Sequence, residues 1–152
     1  MFRSLRASNK QRGIAMVEFA ILLPVLLLLV LATSEFGRAF VQYSALTKSV
    51  RDGGRYVAAK AVKGSTGVVQ INATVNTQTR NLVTYGNIAG TGPSLLPGLA
   101  PGNVTVVAGA PGSVVVSAVY TYMPLFASLP PFQLGSWGAG HPLSAAVTMR
   151  AL

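Results

Sequence analysis

The feature that most constrains this chain is an apolar run near its N-terminus. From Phe19 to Ala32 no side chain is charged, and the 21 residues from Ile14 to Ser34 are interrupted only by Glu18. At about 1.5 Å rise per residue, about 20 helical residues cross the roughly 30 Å hydrocarbon core of a bilayer. The run therefore predicts a single membrane-spanning helix over residues 14–34.

The charges around this run predict its orientation. Four bases precede it, and Lys and Arg are retained on the cytoplasmic side of a membrane. These bases are Arg3, Arg6, Lys10 and Arg12. We therefore expect a single-pass membrane protein with a cytoplasmic N-terminus and its C-terminal domain outside the cytoplasm. The alternative is a secretory signal peptide cleaved near Ser34, but the apolar run is long for such a peptide and contains an acid.

The basic residues do not indicate nucleic-acid binding, although the net charge is +9. Ten of the twelve Lys and Arg residues lie between Arg3 and Lys63, where they bracket the apolar run. Nucleic-acid binders usually cluster their bases on the folded domain. The membrane lipid, rather than a nucleic acid, is the partner that this distribution predicts.

No catalytic constellation is visible in the sequence. The chain has no cysteine, one histidine (His141, expected in a loop) and three acids, Glu18, Glu35 and Asp52, all in or near the apolar helix. A metal site or a two-carboxylate site in the C-terminal domain needs more such side chains than these. We therefore expect neither an enzyme nor a bound cofactor or metal.

Glu18 calls for an explanation, because a carboxylate deep in a bilayer costs about 2.5–3.5 kcal/mol. Gly13 lies five residues before it, directly after the bases, in the sequence QRG-IAMVE. This resembles the processing site of type IV pilin-like proteins. The resemblance implies that a membrane-embedded aspartyl prepilin peptidase cuts between Gly13 and Ile14. Residues 1–13 would then be a basic leader peptide, and the mature chain would have 139 residues, 152 minus 13.

Such a cut suggests a physical role for Glu18. It would lie one turn into the mature helix, where the macrodipole favours an acid. There it could pair with the α-amine of Ile14 in a neighbouring subunit and set the axial register between them. The simpler alternative is that Glu18 lies near the membrane interface and reaches the head groups at little cost.

A longer segment, RGIAMVEFAILLPVLLLLVLATSEFGRAF, resembles the start of the TadE-like family, minor pseudopilins of tight-adherence (Flp-type) systems. The matching residues are Arg12, Gly13, Val17, Glu18, Phe19, Ala20, Pro24, Glu35, Phe36, Gly37 and Arg38. The segment SVRDGGRYVAA is similar to the family's second motif, and the tail LSAAVTMRAL to its closing strand, although Ala151 stands where the family often has an acid. The resemblance implies a bacterial inner-membrane protein whose C-terminal domain lies in the periplasm. It also implies other pilin or pseudopilin subunits and an inner-membrane assembly platform as partners.

Beyond the membrane segment, helical spacing of apolar residues predicts a helical extension over residues 35–63. Gly53 and Gly54 are expected to break it, because each glycine costs about 1 kcal/mol in a helix interior. The second motif suggests a patch that contacts a partner. It comprises Arg51, Asp52, Gly54, Arg55 and Tyr56. The alternative is a solvated helix end, where exposed ion pairs contribute little.

The rest, residues 64–152, is predicted to form a small α+β pseudopilin domain. Residues 68–85 fit a strand or a helix, and the family resemblance favours a second helix. A Gly- and Pro-rich connector, Gly86 to Gly102, precedes three antiparallel strands: Val104–Ala108, Val114–Tyr122 and Leu143–Met149. Pro124 to Pro142 is expected to be a long loop, with Phe126, Phe132 and Trp137 either exposed for contact or covering the sheet. The predicted function is that of a minor pseudopilin in pilus assembly; the alternative is an unprocessed, membrane-anchored binding or adhesion module.

Overall fold

The computed structural model describes residues 9–61, 69–125 and 140–151, with side chains from Gly13 onward. These form two compact units, divided between Gly37 and Arg38. The elements in chain order are helices α1 (Asn9–Lys60) and α2 (Ala73–Tyr85), a 3-10 turn (Pro101–Asn103), and strands β1 (Val104–Ala108), β2 (Ser113–Tyr122) and β3 (His141–Arg150). The predicted α+β class, with a long apolar helix, a second helix and a three-stranded antiparallel sheet, is confirmed.

The first unit consists of the N-terminal part of α1. Its large apolar side chains from Ile14 to Val30 are all at least 39% exposed within the protein. A continuous apolar surface of this kind is unfavourable in water and is covered by lipid or by other apolar helices. Among the described residues, one helix, Gly13–Lys60, is long and apolar enough to cross a membrane.

Helix α1 continues without interruption through Gly53 and Gly54, so the predicted break at this pair is wrong. Both glycines are buried against other elements of the second unit. Tertiary packing here outweighs the weak helix propensity of glycine, as it often does. The helix ends at Lys60, and the Ala61 amide still donates to the Val57 carbonyl oxygen at 2.8 Å.

In the second unit, the C-terminal part of α1 and helix α2 contribute to a core on one face of the sheet. The strands lie in the order β1-β2-β3, and both neighbouring pairs are antiparallel. Strand β2 is central, and every second side chain from Val114 to Tyr122 is buried. This alternation follows from the two-residue period of a strand, which places successive side chains on opposite faces. Leu46, Val50 and Val57 of α1 belong to the same core.

Residues 73–85 form helix α2, so the helical interpretation of this segment is confirmed and the strand alternative is wrong. Asn72 begins the helix, because its Oδ1 atom accepts the Val75 amide at 2.7 Å. Gly86 ends it in the left-handed conformation, φ 74°, and donates its amide to the Leu82 carbonyl. An Asn cap and a left-handed glycine are the usual signals for the two ends of a helix.

The connector and the hairpin turn lie where the Gly and Pro residues of the sequence predict them. From Gly86 to Ala100 the backbone is irregular, and Leu96 and Leu99 anchor it in the core. The predicted turn at Pro111-Gly112 joins β1 to β2, with Gly112 at φ 75°. The expected hairpin is therefore confirmed.

Strand β3 begins earlier than predicted. His141 and Pro142, which we expected in a loop, lie in β3 opposite Tyr122 and Thr121. Proline is tolerated there because β3 is an edge strand, whose outer side requires no ladder hydrogen bonds. Phe126, Phe132 and Trp137 of the predicted loop lie outside the described residues.

Candidate functional sites on the first helix

The predicted processing segment lies on an exposed part of α1. A β-carbon added at Gly13 would meet no described atom beyond the adjoining helix backbone, and Ile14 is 68% exposed. Glu18 is also exposed, and Val17 and Ile21 flank it on the same surface. A peptidase that approaches the Gly13–Ile14 bond therefore meets an uncovered helix surface in the first unit.

Glu18 is an acid on an otherwise apolar surface. With Gly13, Ile14, Val17 and Ile21 it lines one shallow depression on the helix. These positions follow the three- and four-residue spacing that places side chains on one helical face. An apolar helix packed on this face would bring its own groups close to the Glu18 carboxylate. The roles of Gly13, Ile14 and Glu18 remain predictions.

The fold places some residues of the second motif on the surface and packs the others inside the domain. Arg51, Asp52 and Arg55 are exposed. Gly54 is buried, and Tyr56 is half-buried and donates its hydroxyl to Gln78 Oε1 of α2 at 2.7 Å. The predicted contact patch therefore depends on the three charged residues, since Gly54 and Tyr56 have packing roles inside the domain.

The adjacent glycines allow α1 to approach two different elements closely. A β-carbon at Gly53 would lie 2.5 Å from Val83 Cγ2 of α2, and one at Gly54 would lie 2.8 Å from Val147 Cγ1 of β3. Consecutive helical residues point about 100° apart, so one glycine faces the helix and the other faces the sheet. The pair is therefore a close-packing site rather than the helix break that we expected.

A second polar contact, which the sequence analysis missed, joins α1 to β2. The Tyr120 hydroxyl donates to Gln42 Oε1 at 2.9 Å. Tyr120 is only 4% exposed, and this burial raises the pKa of its hydroxyl, while the positive charge of Arg38 partly opposes the rise. The four-residue spacing of Gln42 and Leu46 in the sequence places both on one helical face, and the structure shows that this face is the inward one.

The opposite, outward face of α1 in the second unit carries aromatic and basic side chains together. Phe40 is 70% exposed and Tyr43 is 44% exposed. We call this the outward stripe. It comprises Phe40, Tyr43, Ser44, Thr47, Lys48, Arg51, Asp52 and Arg55, which line one open groove. Packing within the domain does not account for this combination of side chains.

The described part of the chain contains no group of three or more His, Asp or Glu side chains that could hold a metal ion. Asp52 lies on the outward stripe and His141 in β3, and neither is grouped with such side chains. The expectation that the protein is not an enzyme stays a prediction.

Comparison with known proteins agrees with the resemblance inferred from the sequence. Residues 13–55 match the model of a family described as TadE-like proteins. No curated protein and no solved structure matches the chain significantly. The matched segment lies wholly within α1 and ends at Arg55, so it includes the predicted processing segment and the outward stripe.

Proposed function

From the similarity of residues 13–55 to TadE-like proteins, which indicates involvement in tight-adherence pilus systems, we propose that this chain is a minor pseudopilin. A prepilin peptidase cuts it after Gly13, and the mature chain contributes to the assembly of a Flp-type (tight-adherence) type IV pilus. The protein has no catalytic role.

The observation that carries the proposal is where the family match begins. It starts at Gly13, the residue after which a pilin-type cut would fall, and continues along the apolar helix. The four bases that precede the apolar run lie outside the match. A removable basic leader followed by a family-specific helix is the organisation expected of a pilin-like precursor.

Cleavage would change the electrostatics at the start of the helix. It removes the four upstream bases and creates an α-amine on Ile14. Glu18 then lies in the first turns of the mature helix, where a negative charge is favourable. In an apolar bundle the pairing of that carboxylate with an α-amine of another subunit is much stronger than in water.

The proposal also covers location and partners. The apolar helix spans the bacterial inner membrane, the bases lie in the cytoplasm and the α+β unit lies in the periplasm. After assembly the protein either enters the filament or stays at its base. The partners are the peptidase, other pilin or pseudopilin subunits, the inner-membrane assembly platform and the surrounding lipid.

The test combines the N-terminal sequence and intact mass of the protein from isolated membranes and from sheared surface filaments. We expect a chain that begins at Ile14. A chain that begins at Met1 would instead support an unprocessed anchored binding or adhesion module, and one that begins near Glu35 would support a secreted protein. Deletion of the gene is expected to reduce or abolish surface pili, and unchanged piliation would contradict the role in assembly.

A matched pair of variants makes the processing test specific. Gly13→Val places a branched side chain beside the predicted cut and is expected to leave the full-length chain in the membrane. Gly37→Val makes the same change on the same helix, at another exposed glycine where a β-carbon would meet no described atom beyond the adjoining helix backbone. It should be processed normally. Equal processing of both variants would contradict cleavage at Gly13.

A further inference from the structure

The outward stripe of α1 places two kinds of interface residue side by side. Phe40 and Tyr43 expose apolar ring surface, and Lys48, Arg51 and Arg55 follow them at helical spacing. Tyrosine and arginine are among the residues that most often contribute strongly to protein–protein binding. Lysine and arginine at positions 48, 51 and 55 form a row about 10 Å long, since a helix rises about 1.5 Å per residue.

The charge of the stripe indicates the chemistry of its partner. It carries three bases and one acid, Asp52, so its net charge is +2 (3 − 1). Arginine guanidinium groups bind carboxylates through paired, charge-assisted hydrogen bonds. A partner that covers this stripe therefore needs several carboxylates arranged along a line, together with an apolar surface for the rings.

A second copy of this chain does not supply that surface. The whole sequence contains three acids, of which Glu18 lies within the apolar run and Glu35 directly after it, while Asp52 is part of the stripe itself. Two such stripes facing each other would bring together a net charge of +4, twice the +2 of each one. Like charges opposed across an interface disfavour association.

We propose that the outward stripe binds a helix of a different membrane-anchored subunit, one that carries carboxylates at three- or four-residue spacing and an apolar side chain against Phe40. A helix fits because the bases lie in a row along the axis of α1, and a second helix lying alongside presents its own row at the same rise. The inference rests on the proposed function, in which other pilus subunits surround α1.

The experiment uses the full-length protein in membranes of cells that assemble pili. A photoreactive benzoylphenylalanine replaces Ser44, an exposed residue between Tyr43 and Lys48 in the stripe. A control chain carries it at Thr105, an exposed residue of β1 on the other side of the domain core. Mass spectrometry maps the cross-linked peptide. We expect a cross-link from position 44 to another anchored subunit, in a segment with carboxylates at helical spacing, and none to that segment from position 105.

Charge reversal tests whether the bases cause the contact. Arg51→Glu with Arg55→Glu is expected to lower the cross-link yield about tenfold or more, because both charges face the partner. The matched control, Lys60→Glu with Arg150→Glu, changes the net charge equally at two exposed bases outside the stripe. It should leave the yield nearly unchanged. Replacing the mapped carboxylates of the partner by lysine should restore the cross-link to the Arg51→Glu, Arg55→Glu chain.

Several outcomes would overturn the inference. They are a cross-link to a second copy of this chain, an adduct with lipid, no product from position 44, or equal yields for the two pairs of reversals. The same cells report separately on the proposed function, through the mature N-terminus and the number of pili. If processing at Gly13 and the requirement for pili hold while the cross-link result fails, only the acidic-helix partner is wrong.

Discussion

The Tyr120 hydroxyl donates a hydrogen bond to Gln42 Oε1 over 2.9 Å and so joins two residues that are 78 positions apart in the chain. Tyr120 is in the central strand, and Gln42 is on the inward face of α1. A second bond of the same kind, from Tyr56 to Gln78 at 2.7 Å, joins α1 to α2. In the second unit, two tyrosine–glutamine bonds thus connect the long helix to the sheet and to its neighbouring helix.

Tyr120→Phe is expected to lower the free energy of unfolding by about 1 kcal/mol. The substitution removes the donor and leaves the partly buried Gln42 oxygen without its partner, which is the costly way to lose a hydrogen bond. The measurement is denaturant unfolding of the full chain in detergent micelles. Tyr85→Phe is the control, since no hydrogen bond of its hydroxyl is seen in the described part. Equal stability of the Tyr120→Phe variant and the unmodified protein would contradict a role for the bond.

Ionisation of Tyr120 should make the folded protein less stable at alkaline pH. Burial raises the pKa of Tyr120 above its ordinary value of about 10, so above that pH the unfolded chain releases its proton while the folded chain keeps it. The folded state then binds more protons, and stability falls as pH rises. The contribution is fully present below about pH 10 and is lost as the pH rises through the folded-state pKa.

The Tyr120→Phe variant has no ionisable hydroxyl and therefore lacks this pH-dependent contribution to stability. The measurement is the free energy of unfolding of the unmodified protein and of Tyr120→Phe. It is repeated at a series of pH values from neutral to strongly alkaline. The two proteins share every other side chain, so the relevant quantity is the difference between their free energies of unfolding. We expect that difference to shrink as the pH rises above about 10. A difference that stays constant would show that Tyr120 does not titrate differently in the two states.

Gly53→Ala is expected to destabilise the domain, although alanine is the better helix former. The new methyl group would lie 2.5 Å from Cγ2 of Val83, a fully buried and stiff side chain. Overpacking of this kind costs about 1–3 kcal/mol, and the gain in helix propensity of about 1 kcal/mol offsets only part of it. Thermal unfolding of the full chain measures the result.

Gly37→Ala provides the comparison on the same helix. A β-carbon there would meet no described atom within 4 Å beyond the adjoining helix backbone, so the variant should keep its stability or gain up to about 1 kcal/mol. If Gly53→Ala were as stable as Gly37→Ala, α1 would not require the close approach to α2. Gly54→Ala should lie between the two, because its β-carbon would meet Val147 and the flexible Met149 side chain.

Glu18→Ala tests the proposed register between subunits. The variant should still be cleaved and remain in the membrane, since the apolar run is unchanged, but surface pili should be absent. Fractionation, N-terminal sequencing and counting of surface filaments give the three readouts. Val17→Ala, a neighbouring exposed position on the same surface, serves as the control and should keep its pili. Normal piliation of Glu18→Ala would reject the register role.

Much of the fold could be predicted because its signals are local. The strand alternation from Val114 to Tyr122, the Pro111-Gly112 turn and the uninterrupted apolar run each depend on residues close together in the sequence. The Asn72 cap is local too, but in the sequence residues 68–85 also fit a strand. The choice of helix there came from the resemblance to the TadE-like family.

The wrong predictions from the sequence concern residues that contact distant parts of the chain. Gly53 and Gly54 predict a break by propensity alone, yet Val83 and Val147 pack against them and the helix continues. Pro142 predicts a loop, yet it lies opposite Thr121 in an edge strand, where proline is tolerated. In the candidate sites, the sequence singled out Arg51, Gly54 and Tyr56 as one patch, whereas their burial divides them between the surface and the core.

The sequence by itself determined the apolar helix, the class of the domain and the resemblance to TadE-like proteins, because hydrophobic periodicity and short motifs are properties of neighbouring residues. Only the tertiary structure decided which face of α1 is buried. That choice depends on how α2 and the sheet pack around Gly53 and Gly54, through contacts with residues about 30 to 95 positions away. The same packing leaves Phe40, Tyr43 and the bases of the outward stripe exposed.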